Sequence, residues 1–153
     1  MSPPVSLPIA MSFGRRWGRW GLLFAFRTEG RFQDADGREF RMRRSHWWRR
    51  EYELRADDAV VATARGRGIR RVALDLEFRG QLYRLEPTDC WGREWHFLDP
   101  AGRALLQIRR RGRWRSGLVL NVLGPVEGEL LAFAVYLIVT IWWESAAAAA
   151  ASA

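Results

Sequence analysis

Short runs in which apolar and polar residues alternate fill most of the chain between residues 13 and 123. In the clearest run, Val72, Leu74, Leu76 and Phe78 alternate with Ala73, Asp75 and Glu77. A period of two is typical of a strand with one buried face. Noisier runs of the same kind lie at residues 22–26, 39–43, 51–55, 60–64, 81–85, 93–97, 104–108 and 118–122. The pattern predicts a sheet of many short strands.

Turn-forming residues separate these runs at intervals of roughly ten residues. They are Asp36-Gly37, Arg79-Gly80, Asp99-Pro100-Ala101-Gly102 and Arg111-Gly112. Such sequences join neighbouring antiparallel strands as hairpins. The spacing therefore predicts an antiparallel meander, which forms either a barrel or a sandwich.

The pattern changes at Gly124-Pro125, where a continuous apolar segment begins. Pro125 suits the first turn of a helix, and acidic residues at 127 and 129 would complement the helix dipole. We predict a helix over residues 126–144. Residues 130–143 present no polar face, so this helix needs an apolar environment.

Two environments fit such a helix. A membrane span needs about 20 apolar residues, whereas an apolar run of about 14 residues rises only about 21 Å. The alternating strands also need apolar side chains to cover their inner face. We therefore expect the helix to lie inside the sheet, and the alternative is a C-terminal membrane anchor.

Composition places the chain among small globular domains. Its 153 residues fit one domain, and 48% of them are hydrophobic. The formal net charge is +8, and all 25 basic residues are arginine. Arginine without lysine is typical of a high-GC bacterial genome, so this choice alone does not indicate phosphate recognition. The positive charge indicates only that anionic partners are attracted.

The ends of the chain and its single cysteine indicate an intracellular protein. Cys90 has no partner for an internal disulfide, which fits a reducing compartment. The proline-containing start lacks the order of a signal peptide, and Met11 could be the true first residue. We expect a disordered leader over residues 1–11, one domain over 12–144 and an alanine-rich tail over 145–153. The expected location is the cytoplasm.

Three segments resemble the tubby-like superfamily, which includes tubby C-terminal domains, LURP-one-related proteins and phospholipid scramblases. They are "FQDADGREFRM", "FLDPAGRALLQIRR" and "GLVLNV" leading into "LLAFAVYLIVTIWW". The resemblance covers about residues 13–144. It implies a closed β-barrel of about twelve strands around a central hydrophobic C-terminal helix, and membrane association rather than catalysis. The acidic calcium-binding segment of scramblases has only Glu127, Glu129 and Glu144 as counterparts here, which argues against calcium-driven lipid transport.

Candidate metal and catalytic groups are sparse. Asp34 and Asp36 precede a glycine as in a calcium loop, but the later ligands are missing, so a hairpin turn fits better. Cys90, His96, Asp89 and Asp99 lack the paired spacings of a zinc site. Cys90 with His96 or His46 is the one available nucleophile pair, and it lacks a supporting motif. We expect no enzyme, metal or cofactor.

Arginine and tryptophan together are the strongest functional signal. They cluster at residues 41–50 and 109–115, and a further arginine run lies at 65–71. The predicted lipid-contacting residues are Arg41, Arg43, Arg44, Trp47, Trp48, Arg49, Arg50, Arg110, Arg111, Arg113 and Trp114. Such side chains suit anionic headgroups and the lipid interface, and they also suit single-stranded nucleic acid. The simplest alternative is an ordinary surface in an arginine-biased proteome.

From these features we predict a non-enzymatic, cytoplasmic domain that recognises anionic phospholipid membranes peripherally. The alternatives are a tail-anchored membrane protein and a β-barrel that binds single-stranded nucleic acid.

Overall fold

The computed structural model describes residues 29–34, 36–46, 48–68, 72–110 and 118–152. These residues form nine strands and then one helix. The strands are β1 (Glu29–Gln33), β2 (Glu39–His46), β3 (Glu51–Ala56), β4 (Ala59–Arg67), β5 (Ala73–Phe78), β6 (Gln81–Pro87), β7 (Glu94–Leu98), β8 (Ala104–Arg110) and β9 (Leu118–Val122), and the helix is α1 (Gly128–Ala151). The mainly β fold with one C-terminal helix is confirmed. The run at 22–26 lies outside the described residues.

The nine strands form one antiparallel sheet in chain order, from β1 to β9. Each strand pairs only with the strands before and after it in the sequence, which confirms the predicted meander. The predicted closed barrel of about twelve strands is not formed by the described residues. Within them β1 and β9 do not pair with each other, so both are free edges and the sheet is open.

Three hairpin turns share the sequence Asp-x-x-Gly-Arg, at residues 34–38, 89–93 and 99–103. In each turn the Asp carboxylate accepts the backbone N–H of the Arg, at 2.8, 2.8 and 2.9 Å. The Gly has a positive φ of 84°, 63° and 83°, a conformation that favours glycine. The carboxylate of Asp34 therefore shapes a hairpin, as expected.

The sheet curves around α1. Residues 130–138 of the helix are all buried. Nine residues make about two and a half helical turns, so every face of this part of α1 is covered. The covering side chains come from alternate positions of the strands, including Met42, Leu54, Leu76 and Phe97. This confirms that the helix lies in the core of the sheet.

Gly30 shows how closely β1 approaches the helix. A Cβ atom at Gly30 would lie 2.8 Å from the Tyr136 ring, inside van der Waals contact. Only glycine fits at this inward-facing position without displacing the ring.

The helix limits differ from the predicted range of 126–144. The helix begins at Gly128, after the N-cap residue Glu127, so Pro125 precedes it. The Glu127 carboxylate accepts a hydrogen bond from Arg79 at 3.0 Å instead of capping the helix. At the other end the helix continues through the alanines to Ala151, and residues 147–151 are exposed.

By length and composition α1 could also cross a membrane. It has 24 residues, and its most apolar 18-residue window has a mean hydropathy of 1.7 and is 56% buried inside the fold. A core helix meets the same criterion of length and composition.

Candidate functional site

The meander gives the sheet two distinct ends, because successive connections alternate between them. We call one the exit end, since the carboxyl half of α1 emerges there. Its described connecting residues are 48–50, 68, 72 and 88–93. The connections of the opposite end are residues 34–38, 57–58, 79–80, 99–103 and 123–127.

Charge is divided unequally between the two ends. Among the described residues, the exit-end connections contain three arginines (Arg49, Arg50 and Arg93) and one acidic residue, Asp89. The five connections at the opposite end contain six acidic residues and three arginines. The domain is therefore polarised along the helix axis, with its positive charge where α1 emerges.

Tryptophan follows the same division. Among the described residues, the exit-end connections contain Trp48 and Trp91, and the connections of the opposite end contain no tryptophan. Trp142 and Trp143 add two more indoles where the helix leaves the sheet. Trp91, Trp48 and Trp143 are 78%, 63% and 36% exposed. Indole and guanidinium groups are thus concentrated at one end.

Arg44 differs from the other predicted lipid-contacting residues. It follows Phe40 and Met42 on the inner face of β2, and its side chain is only 19% exposed. Its Nη1 lies 2.6 Å from Oε1 of Glu144, and its guanidinium lies 5.8 Å from the Tyr52 ring centroid. Arg44 is therefore mostly buried beside the helix and is not a free surface arginine.

Tyr52 forms a cluster with Arg44 and Glu144 near the point where α1 leaves the sheet. Its hydroxyl donates to Glu144 at 3.4 Å. Burial, and secondarily the negative charge of Glu144, raise the pKa of Tyr52 to about 12. The phenol is therefore neutral at physiological pH, and the ionic contact in this cluster joins Arg44 to Glu144.

Four of the remaining described arginines of the prediction fall into two groups. Arg41 and Arg43 lie on the outer face of β2, where Arg41 pairs with Glu39 at 3.5 Å and Arg43 pairs with Glu53. Arg49 and Arg50 are exposed in the 48–50 connection at the exit end. Only the second group belongs to the exit end.

Arg110 links β8 to the helix at the exit end. Its guanidinium lies 5.8 Å from the Trp142 ring centroid, which is within cation–π range. The predicted residues Trp47, Arg111, Arg113 and Trp114 lie outside the described residues.

None of the residues in the 88–93 connection was among the predicted lipid-contacting residues. The sequence signal was present, because "DCWGR" repeats the Asp-x-x-Gly-Arg turn of "DADGR" and "DPAGR". The Gly92 carbonyl accepts the Trp95 indole N–H at 2.9 Å and the Trp142 indole N–H at 2.6 Å. Two indoles from different elements thus hold this turn against the helix.

The candidate catalytic and metal groups do not converge. His46 Nδ1 lies 3.0 Å from Glu51, and His96 Nε2 lies 3.7 Å from Glu94. Cys90 is exposed on its turn. Within the described ranges no group of three or more His, Cys, Asp or Glu side chains could hold a metal ion.

A cavity of about 350 Å³ lies at the opposite end. Its lining is Arg38, Phe40, Val60, Val61, Phe78, Arg79 and Glu129. Its two arginines are already engaged, since Arg79 contacts Glu127 at 2.9 Å and Arg38 lies over the Phe40 ring. The exit end is the stronger candidate.

Comparisons of the chain with protein-family models, with curated proteins and with solved structures found no match.

Proposed function

We propose that this chain is a tubby-like domain that binds the surface of anionic phospholipid membranes through its exit end. One observation carries the proposal: among the described residues, Trp48, Arg49, Arg50, Trp91 and Arg93 lie at the end where an apolar helix emerges, and acidic residues predominate at the other end. The closed barrel of the tubby-like fold belongs to the same proposal.

The energetics of this end fit a peripheral contact. Each arginine near an anionic surface contributes about 1 kcal/mol, so the exposed Arg49 and Arg50 supply a weak attraction that further arginines would increase. Indoles favour the boundary between headgroups and acyl chains. The acidic opposite end would face away from the membrane, because like charges repel.

We propose that the chain has a binding role rather than a catalytic one. We also propose that it acts in the cytoplasm, because the cytoplasmic leaflet of the membrane is anionic. The separate pairing of His46 with Glu51 and of His96 with Glu94 supports the binding role, because neither histidine is paired with Cys90 as a general base would be.

Two other functions are consistent with single features. The length and hydropathy of α1 favour a tail anchor, but the burial of residues 130–138 on every face favours a core helix.

The second alternative is nucleic-acid binding, since arginine with tryptophan also suits single-stranded nucleic acid. However, residues 145–151 at the carboxyl end of α1 carry no charged side chain, and an uncharged segment at the exit end does not suit a phosphate backbone.

The test is co-sedimentation of the full chain with vesicles of phosphatidylcholine alone and of phosphatidylcholine mixed with phosphatidylserine. We expect binding to the mixed vesicles only. A fluorescent single-stranded oligonucleotide is titrated in parallel under the same salt conditions. Equal binding to both kinds of vesicle, or tighter binding to the oligonucleotide, would overturn the proposal.

A further inference from the structure

The 88–93 connection is a turn whose shape is fixed independently of its tip residues. The Asp89 carboxylate accepts the backbone N–H groups of Arg93 and Glu94, at 2.8 and 3.4 Å. Gly92 adopts a φ of 63°. With the two indoles that donate to the Gly92 carbonyl, these bonds connect the turn to β7 and to α1.

The tip of this turn is unlike the tips of the two turns built in the same way. In the other Asp-x-x-Gly-Arg turns, both at the opposite end, the central residues are Ala35-Asp36 and Pro100-Ala101. Here they are Cys90-Trp91. The same scaffold thus presents small or acidic residues at the acidic end and a large indole at the basic end.

Trp91 is held outside the core. Its side chain is 78% exposed, more than that of any other large apolar residue in the described ranges. An exposed indole on a mobile segment would lose conformational freedom on binding, whereas one on a fixed turn has already lost most of it. Trp95 and Trp142 hold the turn from inside while Trp91 projects away from the sheet.

We propose that this turn is a preorganised membrane anchor, in which Trp91 enters the interfacial layer of an anionic bilayer. The inference rests on the proposed function and extends it, since it requires a bilayer interface and not a soluble headgroup. It also sets the orientation of the domain, with the exit end against the membrane and α1 directed toward it.

The primary test compares Trp91→Ala with the parent chain on phosphatidylcholine–phosphatidylserine vesicles at physiological ionic strength. Partial burial of an aromatic side chain predicts a loss of about tenfold in the partition coefficient. The melting temperature should stay within about 2 °C of the parent value, because surface changes alter stability little.

The matched control moves the indole to the other end on the same scaffold. Ala101 occupies in the 99–103 turn the position that Trp91 occupies in the 88–93 turn, and it is exposed. The double variant Trp91→Ala with Ala101→Trp should bind as weakly as Trp91→Ala alone. Recovery of parent-level binding would show that an indole at either end suffices, which would overturn the inferred orientation.

Cys90 supplies a second measurement. It is the single cysteine and is exposed, so an environment-sensitive fluorophore can be attached beside Trp91. Mixed vesicles should shift its emission to the blue, and a label at Ala101→Cys in a Cys90→Ser background should not respond. An unchanged partition coefficient for Trp91→Ala, or equal shifts at both labels, overturns the anchor even where the parent binds anionic vesicles. Failure of the parent to bind removes the proposed function as well.

Discussion

Nη1 of Arg44 lies 2.6 Å from Oε1 of Glu144, and this contact joins the inner face of β2 to the helix where it leaves the sheet. Both side chains are mostly buried, with 19% and 26% exposed. A pair shielded to this extent keeps more of its Coulomb attraction than a surface pair does. Arg44 therefore fixes the position of the helix, in contrast to the exposed arginines nearby.

We predict that Glu144→Gln destabilises the domain by about 1–3 kcal/mol, because it leaves the Arg44 guanidinium without its charged partner. For a domain of this size that corresponds to a fall in melting temperature of about 2–4 °C per kcal/mol. The control is Arg41→Met, whose pairing with Glu39 is exposed and contributes at most about 1 kcal/mol. Equal effects of the two changes in thermal unfolding would contradict the structural role of Arg44.

Leu137→Asp tests whether α1 belongs to the core. Leu137 is fully buried, so the substitution places an unpaired charge among apolar side chains and should cost more than about 4 kcal/mol. We expect loss of the sheet signal in circular dichroism. Ala148→Asp, in the exposed part of the same helix, should leave the fold intact. If the Leu137 variant kept its sheet and lost only membrane attachment, α1 would be a membrane anchor.

The strands from residue 39 onward could be predicted because one physical rule produces them. A sheet with one covered face requires alternating side chains, and Leu74, Leu76 and Phe78 alternate where β5 forms. The predicted hairpin turn at Asp36-Gly37 required a strand before it, but no alternating run marked β1. Its inner face carries Phe32 and then Gly30, whose missing side chain makes room for Tyr136. The need for glycine at position 30 comes from a helix about one hundred residues later in the chain, so it cannot be predicted from the local sequence pattern.

The residue types of the candidate site could be predicted from the sequence, but their positions in the fold could be predicted only in part. Arginine and tryptophan were recognised as a signal, but their arrangement depends on which connections share an end of the meander. Alternation along β2 places Arg44 on the face of Phe40 and Met42, so its inward direction could have been predicted. The hydrogen bond from Trp142 to Gly92 could not, because it depends on the position of α1 inside the sheet.

Removal of residues 145–153 should leave the melting temperature within about 2 °C of the parent value. The helix continues to Ala151, but residues 147–151 are exposed and none of them belongs to the buried core cluster. Differential scanning calorimetry of the shortened chain provides the measurement. A fall of many degrees would contradict this and show that the alanine segment contributes to the packing of the domain.

Asp99 should make stability depend on pH in the acid range. Its backbone hydrogen bond from Arg103 is the main cause that holds the pKa of this carboxyl below its ordinary value. A lowered pKa stabilises the folded state above the ordinary value near 3.9, and the contribution disappears as the pH falls through the folded-state pKa.

Urea unfolding of the parent and of Asp99→Asn should therefore differ by a constant amount above about pH 5, and the difference should shrink below about pH 4. Asp58→Asn, in the exposed two-residue turn between β3 and β4, is the control for loss of one negative charge. A pH-independent difference at Asp99 would show that the charge of the carboxylate contributes nothing.

The electrostatic part of membrane binding should depend on where the arginines lie and not on net charge alone. Arg49→Ser with Arg50→Ser removes two charges from the exit end, and Arg31→Ser with Arg41→Ser removes two from the outer face of β1 and β2. About 1 kcal/mol for each arginine near the surface predicts that the first pair weakens binding to phosphatidylserine-containing vesicles by roughly tenfold to thirtyfold. The second pair should change it by less than about threefold.

The difference in binding between the two pairs should narrow as salt rises, because the screening length falls from about 8 Å at physiological ionic strength to about 3 Å at 1 M. Equal losses for both pairs in a vesicle co-sedimentation series would mean that the protein is attracted by its overall charge and that the exit end has no special part in binding.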